Sequence, residues 1–250
     1  MNILGIDTST KKANVCLEYN NKIIDKSIDN EITHSEKLLP LVDDVLKAEN
    51  ISLKEIDYLA CCTGPGSFTG IRIGIATVKA FAKTLNVPIF AVSSLDILAY
   101  TNVASDYVIS IMDAKNSRIY YSVYRIIKKE CDGDLVPYLK KVCDYANDTI
   151  DVAIEKISNL FTDITKNTNT SITIVGDCVD NYKDLFMSIL NSKFTTINTD
   201  TQNLSGQILI SMLKNYIKLG INSEYTKDYL TLDAIYVRPS QAERAKNNEV

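Results

Sequence analysis

The 250-residue sequence has few of the residues that would mark several common protein classes. It contains one histidine, His34, and its six cysteines form no C-x-x-C pair, so a zinc site of four clustered nitrogen and sulfur ligands is not expected. Basic residues are in no excess: the net charge is −4 and the pI is near 5.2, which gives no general attraction to nucleic acid or to an anionic membrane. No apolar run approaches the roughly 18 residues of a membrane span, and the first residues lack a basic signal-peptide region. The cytoplasm is therefore the expected location.

What is present suits a globular α/β protein. Hydrophobic residues make up 46% and charged residues 23% of the chain, which is enough to bury a core. Patterning predicts three strands over 2–7, 14–19 and 22–28, and then a helix with a T-x-x-E capping box at Thr33. A strand over 58–63, a helix over 71–85, a strand over 87–92 and a helix over 94–101 follow.

The second half of the chain begins like the first. The segment LGIDTSTKKANVCL, residues 4–17, matches SIMDAKNSRIYYSV, residues 110–123, in having an apolar strand that ends in aspartate, a polar turn and an alternating strand. Asp7 and Asp113 occupy the same place in the two copies. The repeat predicts two tandem domains, 1–104 and 105–240, followed by a polar tail, 241–250. Helices are expected over 150–161, 182–190 and 204–219, with a strand over 172–175.

Four of the nine glycines lie between residues 64 and 74, in GPGSFTGIRIG. Gly64, Pro65, Gly66 and Ser67 read as a loop between a strand and a helix, with Ser67 or Thr69 as the helix cap. Free N–H groups there could bind an anion, but the lysine of a P-loop is missing. Gly70 and Gly74 are spaced four apart with Val78 and Ala82, and Ala76 and Ala80 form a second small-residue row. Two interpretations follow: a flat helix face for another subunit, or packing against this protein's own first helix.

The order of elements, twice over, is similar to the actin and sugar-kinase superfold, and ILGIDTST resembles its first phosphate loop. The match is closer to the bacterial TsaB family. Its motifs are NILGIDTST, HSEKLLPLVDDVL, GPGSFTGIRIGIATVKAFA, VPIFAVSSLDILA, MDAKNSRIYYSVY and AIYVRPSQAE. The resemblance implies two tandem actin-like (ribonuclease H-like) α/β domains, each a mixed sheet with flanking helices.

It also implies a function: a non-catalytic subunit of the complex that forms N6-threonylcarbamoyladenosine at position 37 of tRNAs reading ANN codons. Such a subunit dimerises through its N-terminal domain with a TsaD-type transferase, is joined by a TsaE-type ATPase, and forms homodimers when alone. The metal-binding paralogue carries two histidines at i and i+4 on the first helix, whereas here His34 is followed by Leu38. No metal ligand and no catalytic residue is therefore expected.

The predicted partner interface consists of residues from the first helix and from the helix after the glycine-rich loop. They are His34, Leu38, Leu39, Val42, Phe68, Thr69, Gly70, Ile71, Ile73, Gly74 and Val78. Asp7, Thr8, Ser9 and Thr10 are a weak nucleotide-binding candidate, because no two glycines of the second half lie close enough to form an adenosine cradle. No tightly bound cofactor is expected for this chain alone, with ATP or ADP allowed at a complex interface.

Two alternative functions stay open on sequence grounds. One is an ATPase or small-molecule kinase of the same superfold; the other is a peptidase, for which His34 would be the only histidine base. Direct tRNA binding is not favoured by the charge. The basic residues near turns and in the tail read as solvated surface that could touch tRNA held by another subunit: Lys11, Lys12, Arg118, Lys128, Arg238, Arg244 and Lys246.

Overall fold

The computed structural model describes residues 1–29, 34–164, 170–190, 194–198 and 206–237. The chain forms two compact units: residues 1–97 with 202–236, and residues 98–201 with 237–250. The capping-box residue Thr33, the basic tail residues and the 241–250 tail fall outside the described residues.

The first unit is built on a six-stranded mixed sheet. Its strands are β1 (Ile3–Asp7), β2 (Lys12–Tyr19), β3 (Lys22–Asp29), β4 (Tyr58–Cys62), β5 (Ile89–Val92) and β11 (Thr226–Lys227), in the order β11-β5-β4-β1-β2-β3. The first three strands form an antiparallel meander, and β4 and β5 add to β1 in parallel. Asn20 and Asn21 make the meander's first turn with positive φ angles of 50° and 62°, as their side chains allow.

Helices cover both faces of this sheet. On one face lie α1 (His34–Ala48), which continues through Pro40, and α2 (Phe68–Leu85). Their apolar sides pack on alternate residues of the central strands, such as Leu4, Val15 and Leu59. On the other face lies α6 (Gly206–Lys218), where Leu209 and Ile210 approach Gly5.

Two side chains of β2 hold α6 in place. Asn14 Oδ1 accepts the Gly206 N–H at 2.9 Å, so a strand residue caps this helix. Glu18 is buried and pairs with Lys214. The predicted domain boundary is corrected here, because α6 and β11 belong to the first unit and not to a domain 105–240.

The second unit repeats the plan with five strands. They are β6 (Tyr107–Asp113), β7 (Arg118–Cys131), β8 (Asp134–Thr149), β9 (Ile172–Gly176) and β10 (Phe194–Asn198), in the order β10-β9-β6-β7-β8. β6, β7 and β8 are antiparallel neighbours, and β9 and β10 are parallel. The helices α4 (Ile150–Ile164) and α5 (Val179–Leu190) pack on the sheet through buried side chains such as Ile157, Phe161 and Phe186. The chain passes from the first unit to the second within a further helix, α3 (Ser94–Tyr100), between Ile97 and Leu98.

The predicted fold class is confirmed: each half is a mixed sheet with flanking helices, and each begins with an antiparallel meander. The aspartate repeat is also real, since Asp7 ends β1 and Asp113 ends β6. Among the described residues, no helix is long and apolar enough to cross a membrane.

Candidate functional site

Asp7 stabilises the turn between β1 and β2 by a hydrogen bond within the turn. This carboxylate is buried and its Oδ1 accepts the Ser9 N–H at 2.8 Å, as a strand-ending aspartate is expected to do. Burial raises the pKa of Asp7, and hydrogen bonds from Ser9 and Cys62 oppose the rise. Thr10 Oγ1 contacts the backbone of Lys12 across the end of the turn.

The glycine-rich loop lies directly against this turn. The Ser67 N–H donates to Ser9 O at 2.7 Å, and a Cβ at Gly66 would come closer than 3.0 Å to the same carbonyl oxygen. Ser67 is the cap of α2, since its Oγ accepts the Gly70 N–H at 3.2 Å. Gly64 takes a positive φ of 93°, and the Pro65 carbonyl accepts the Ser94 hydroxyl at 2.8 Å. The loop's polar backbone groups therefore bind elements of the same unit.

Gly70 and Gly74 make room for Thr8. A Cβ at Gly70 would lie closer than 3.0 Å to the Thr8 carbonyl oxygen, and a Cβ at Gly74 would lie closer than 3.0 Å to Thr8 Oγ1. That hydroxyl donates to Gly70 O at 2.7 Å and is buried. At these two positions Thr8 of the β1–β2 turn fills the space beside the helix, so the neighbour of the two glycines is neither α1 nor another subunit, the two that the sequence suggested.

Burial divides the predicted partner interface into two groups. Six of the predicted residues are buried in the first unit's own core and present no surface, which corrects their assignment: Leu38, Val42, Gly70, Ile71, Gly74 and Val78. Leu39, Phe68 and Thr69 are exposed, and Ile73 is half-buried. The side chain of His34 lies outside what the structure describes.

The exposed side of α2 carries the second small-residue row, at Ala76 and Ala80. At the start of this helix, the Arg72 guanidinium stacks on the Phe68 ring at 3.8 Å from the ring centroid, and Arg72 Nε donates to Tyr236 Oη at 2.8 Å. The Ile235 N–H donates to Thr63 O at 2.9 Å, which fixes the segment that carries Tyr236. Sequence reasoning missed this cluster, although AIYVRPSQAE was noticed as a motif that contains Tyr236.

A second buried polar group lies beneath the loop. Cys62 Sγ is 3.1 Å from Ser94 Oγ, and burial next to Asp7 raises the pKa of the Cys62 thiol well above its ordinary value. The thiolate is the nucleophilic form of cysteine, so this thiol is held in its unreactive form.

The corresponding turn of the second unit is closed in the same way. Asp113 Oδ1 accepts the Lys115 N–H at 2.8 Å, matching the bond between Asp7 and Ser9. The Asp113 N–H in turn donates to Asp177 Oδ1 at 2.9 Å, so a carboxylate of VGDCVD takes an amide of the turn. Among the described side chains there is no group of three metal-ligating residues.

Comparison of the chain with known protein families identifies the family to which it belongs. The protein-family model described as "TsaD: tRNA N6-adenosine threonylcarbamoyltransferase" matches residues 23–232 of the sequence. The chain belongs to this family. Several curated relatives that the chain matches carry the name TsaB, so the resemblance seen in the motifs is confirmed.

Three of these relatives carry the name "tRNA threonylcarbamoyladenosine biosynthesis protein TsaB". The protein of Buchnera aphidicola (Schizaphis graminum) is 36% identical over 49% of this chain and 60% of its own length. That of Escherichia coli K12 is 33% identical over 50% and 55%, and that of Bacillus subtilis 168 is 35% identical over 50% and 56%. The matches thus span less than two thirds of the curated relatives.

Two solved structures share the fold over nearly the whole chain. YeaZ from Pseudomonas aeruginosa has a TM-score of 0.68 at 22% identity, covering 94% of this chain and all of its own. A second structure, described as an uncharacterized protein with similarity to peptidase YEAZ from the same organism, has a TM-score of 0.71 at 22% identity over 95% and 99%. At this identity the likeness shows the fold alone.

Proposed function

We propose that the chain is the TsaB-type subunit in the formation of threonylcarbamoyladenosine on tRNA, where it binds and activates a TsaD-type transferase without carrying out the chemistry itself. The family match and the names of the TsaB relatives support the pathway. The observation that carries the scaffold role is a surface on the first unit.

This surface, the docking strip, consists of Leu39 on α1 and of Phe68, Ile73, Ala76 and Ala80 on α2. Leu39 and Phe68 are 55% and 37% exposed, and the two alanines are exposed as well. Small exposed residues allow the backbone of a partner helix to come close, and large apolar side chains beside them supply contact area.

Arg72, Phe68 and Tyr236, called the Arg72 cluster, extend the docking strip with side chains that hold one another in place. Arginine and tyrosine are the residue types that dominate the energy of protein interfaces, especially when their rotamers are fixed before binding. Arg72 is fixed by Phe68 on one side and by Tyr236 on the other. We propose that a TsaD-type subunit covers the strip and this cluster.

The turn and loop chemistry supports a non-catalytic role. An anion at the start of α2 needs free N–H groups, and two of those around the cap are already used: the Ser67 N–H binds Ser9 O and the Gly70 N–H binds Ser67 Oγ. Asp7 is occupied with the Ser9 N–H. We therefore propose that the chain alone holds no nucleotide tightly, and that any ATP or ADP of the system binds where the subunits meet.

The same proposal extends to the other partners. A TsaE-type ATPase would join the heterodimer, and without a TsaD-type subunit a second copy of the chain would form a homodimer.

Sedimentation velocity of the chain mixed with a TsaD-type protein tests the scaffold role. Ala76→Arg places a long charged side chain in the centre of the docking strip while leaving the buried glycines intact. Since a disrupted interface centre costs about 2 kcal/mol or more, we expect affinity to fall at least about thirtyfold. Gly74→Arg would not test the interface, because the space beside Gly74 is filled by Thr8.

The matched control is Ser188→Arg, on the exposed side of α5 in the second unit. It should bind the transferase like the wild type. Equal binding by the folded Ala76→Arg variant would show that the docking strip is not the interface. Tight binding of ATP by the chain alone would instead support the kinase alternative.

A further inference from the structure

The β7–β8 hairpin gathers positive charge on a molecule that is acidic overall. The chain carries a net charge of −4, but five basic residues are exposed on the upper part of this hairpin: Arg125, Lys128, Lys129, Lys140 and Lys141. Of its acidic residues, Glu130, Asp132 and Asp134 lie at the tip, and Asp144 and Asp148 lie farther along β8, on the far side of Lys140 and Lys141.

The strand register brings two of the cations face to face. Arg125 on β7 is the direct cross-strand partner of Lys140 on β8. Like charges directly opposite each other destabilise an antiparallel pair, because their Cβ atoms are only about 5 Å apart. No described carboxylate forms an ion pair with either side chain within 4.0 Å, although Arg125 and Lys128 help to lower the pKa of Asp106.

The same face continues beyond this pair. Because side chains alternate along a strand, Arg125, Ile127 and Lys129 share a face with their cross-strand partners Lys140, Tyr138 and Val136, of which Val136 is buried. The opposite face carries the buried Tyr124, Ile126 and Leu139, together with the exposed Lys128 and Lys141. Arg125 and Lys129 are ~13 Å apart along the strand, with a half-buried tyrosine between the two positive positions.

Protection of a sheet edge explains only part of this pattern. Lysines on an edge strand prevent pairing with other chains, which accounts for Lys140 on β8. Arg125, however, lies on the inner strand β7, at the last position where β7 also pairs with β6. An anion that bridges Arg125 and Lys140 would remove their repulsion.

We infer that Arg125, Lys129 and Lys140, with Tyr138 between them, form a basic ribbon that binds the phosphate backbone of the tRNA. Two or three cations spaced along an extended ribbon match the repeating charges of a nucleic-acid strand, and the aromatic ring offers a surface for a sugar or base. This inference depends on the proposed function for the identity of the RNA. It gives the chain a direct contact with tRNA, whereas the sequence predicted an indirect one.

The test is a salt titration of tRNA binding. An unmodified tRNA that reads an ANN codon is titrated, by fluorescence anisotropy between 50 and 200 mM salt, with the chain bound to its TsaD-type partner. The variant is Arg125→Glu combined with Lys140→Glu. The control is Lys54→Glu combined with Lys183→Glu, two exposed lysines on other elements, so that both double variants carry the same change of net charge.

We expect the ribbon variant to bind tRNA about tenfold more weakly, with a slope of log K against log salt about two smaller in magnitude, and the control to match the wild type. Both variants should still bind the TsaD-type partner. Wild-type affinity and slope in a ribbon variant that forms the complex would overturn the inference.

A failure of the proposed function gives a different result. If the wild-type chain does not bind a TsaD-type protein, the same titration is performed with the chain alone, and a ribbon variant indistinguishable from the wild type would again overturn the inference. Vesicles of phosphatidylserine are the comparison ligand: ribbon-dependent binding to the vesicles but not to tRNA would identify the surface as a membrane contact and contradict the assignment to RNA.

Discussion

Replacing Gly74 by alanine should destabilise the first unit only while Thr8 keeps its hydroxyl. A Cβ at Gly74 would lie closer than 3.0 Å to Thr8 Oγ1, whereas the next nearest atoms, Thr8 Cβ and Cγ2, would be at ordinary contact distances of 3.5 and 3.6 Å. The hydroxyl cannot turn away without losing its 2.7 Å bond to Gly70 O. The contact at Gly74 therefore depends on one oxygen atom.

The magnitude follows from three terms. Alanine in place of glycine within a helix gains about 1 kcal/mol. Displacing the Thr8 hydroxyl loses a hydrogen bond of about 1 kcal/mol, and overpacking costs about 1–3 kcal/mol. Gly74→Ala should thus lower the free energy of unfolding by about 1–3 kcal/mol in the wild type, but raise it by about 1 kcal/mol in Thr8→Ala.

Urea unfolding followed by circular dichroism measures both changes, and their difference of about 2–4 kcal/mol is the coupling energy of the pair. Two controls accompany the cycle. Gly70→Ala should destabilise both backgrounds, because its contact is the Thr8 backbone oxygen, and Ala76→Gly should cost about 1 kcal/mol in both, because Ala76 is exposed. If Gly74→Ala has the same effect with and without the Thr8 hydroxyl, the structural role given to this glycine is wrong.

Two further predictions concern the same sheet. Because burial raises the pKa of Asp7 above its ordinary 3.8, the folded state binds this proton more tightly than the unfolded state, so the contribution of Asp7 to stability is largest below pH 3.8 and is lost as the pH rises through the raised pKa. Asp7→Asn should remove that pH-dependent loss of stability. The difference in urea midpoint, variant minus wild type, should therefore be larger at pH 8 than at pH 4, and the same difference at both pH values would contradict the effect of burial. Asn14→Ala should cost about 1 kcal/mol in thermal unfolding, because the buried Gly206 N–H loses its cap. Asp25→Ala removes the 2.8 Å bond from Asn14 Nδ2 but leaves the cap in place, so it should cost less; equal losses would mean that the cap contributes nothing.

The sequence predicted those elements that local patterning determines. The meander and the buried strand before the glycine loop lie within a residue or two of their expected positions, and the first strand of the second unit ends at Asp113, as the repeat predicted. The sequence allowed Ser67 or Thr69 as the cap of α2, and the structure selects Ser67. This cap and the bond from the Ser9 N–H to Asp7 join residues only two or three apart, the range over which residue type and spacing are most informative.

The strand β8 was missed although a signal for it was present. Asp132 and Gly133 form the two-residue turn between β7 and β8, with φ angles of 52° and 82°. An Asp-Gly pair between two runs is a strong hairpin signal, but the polar residues around it gave the segment the composition of a loop. Since β8 is an edge strand, it needs few apolar side chains.

The remaining errors concern residues that are far apart in the sequence but in contact in the structure. The small residues of α2 showed that something comes close, but the sequence did not show that it is Thr8, some sixty residues earlier. For the same reason α6 was placed in the second domain: its helical pattern was recognised, whereas the capping residue Asn14 lies 192 positions before Gly206.

The division of the first unit between two chain segments has a consequence for synthesis. Residues 1–97 leave the ribosome well before residues 202–236, and the residues of the second unit emerge in between. Until α6 is made, the sheet face around Gly5 and Cys16 has no cover, and Glu18 has no Lys214 to pair with. This face of the first unit's sheet therefore stays without its covering helix for as long as the second unit is being translated, and the first unit is completed only after the second has been made.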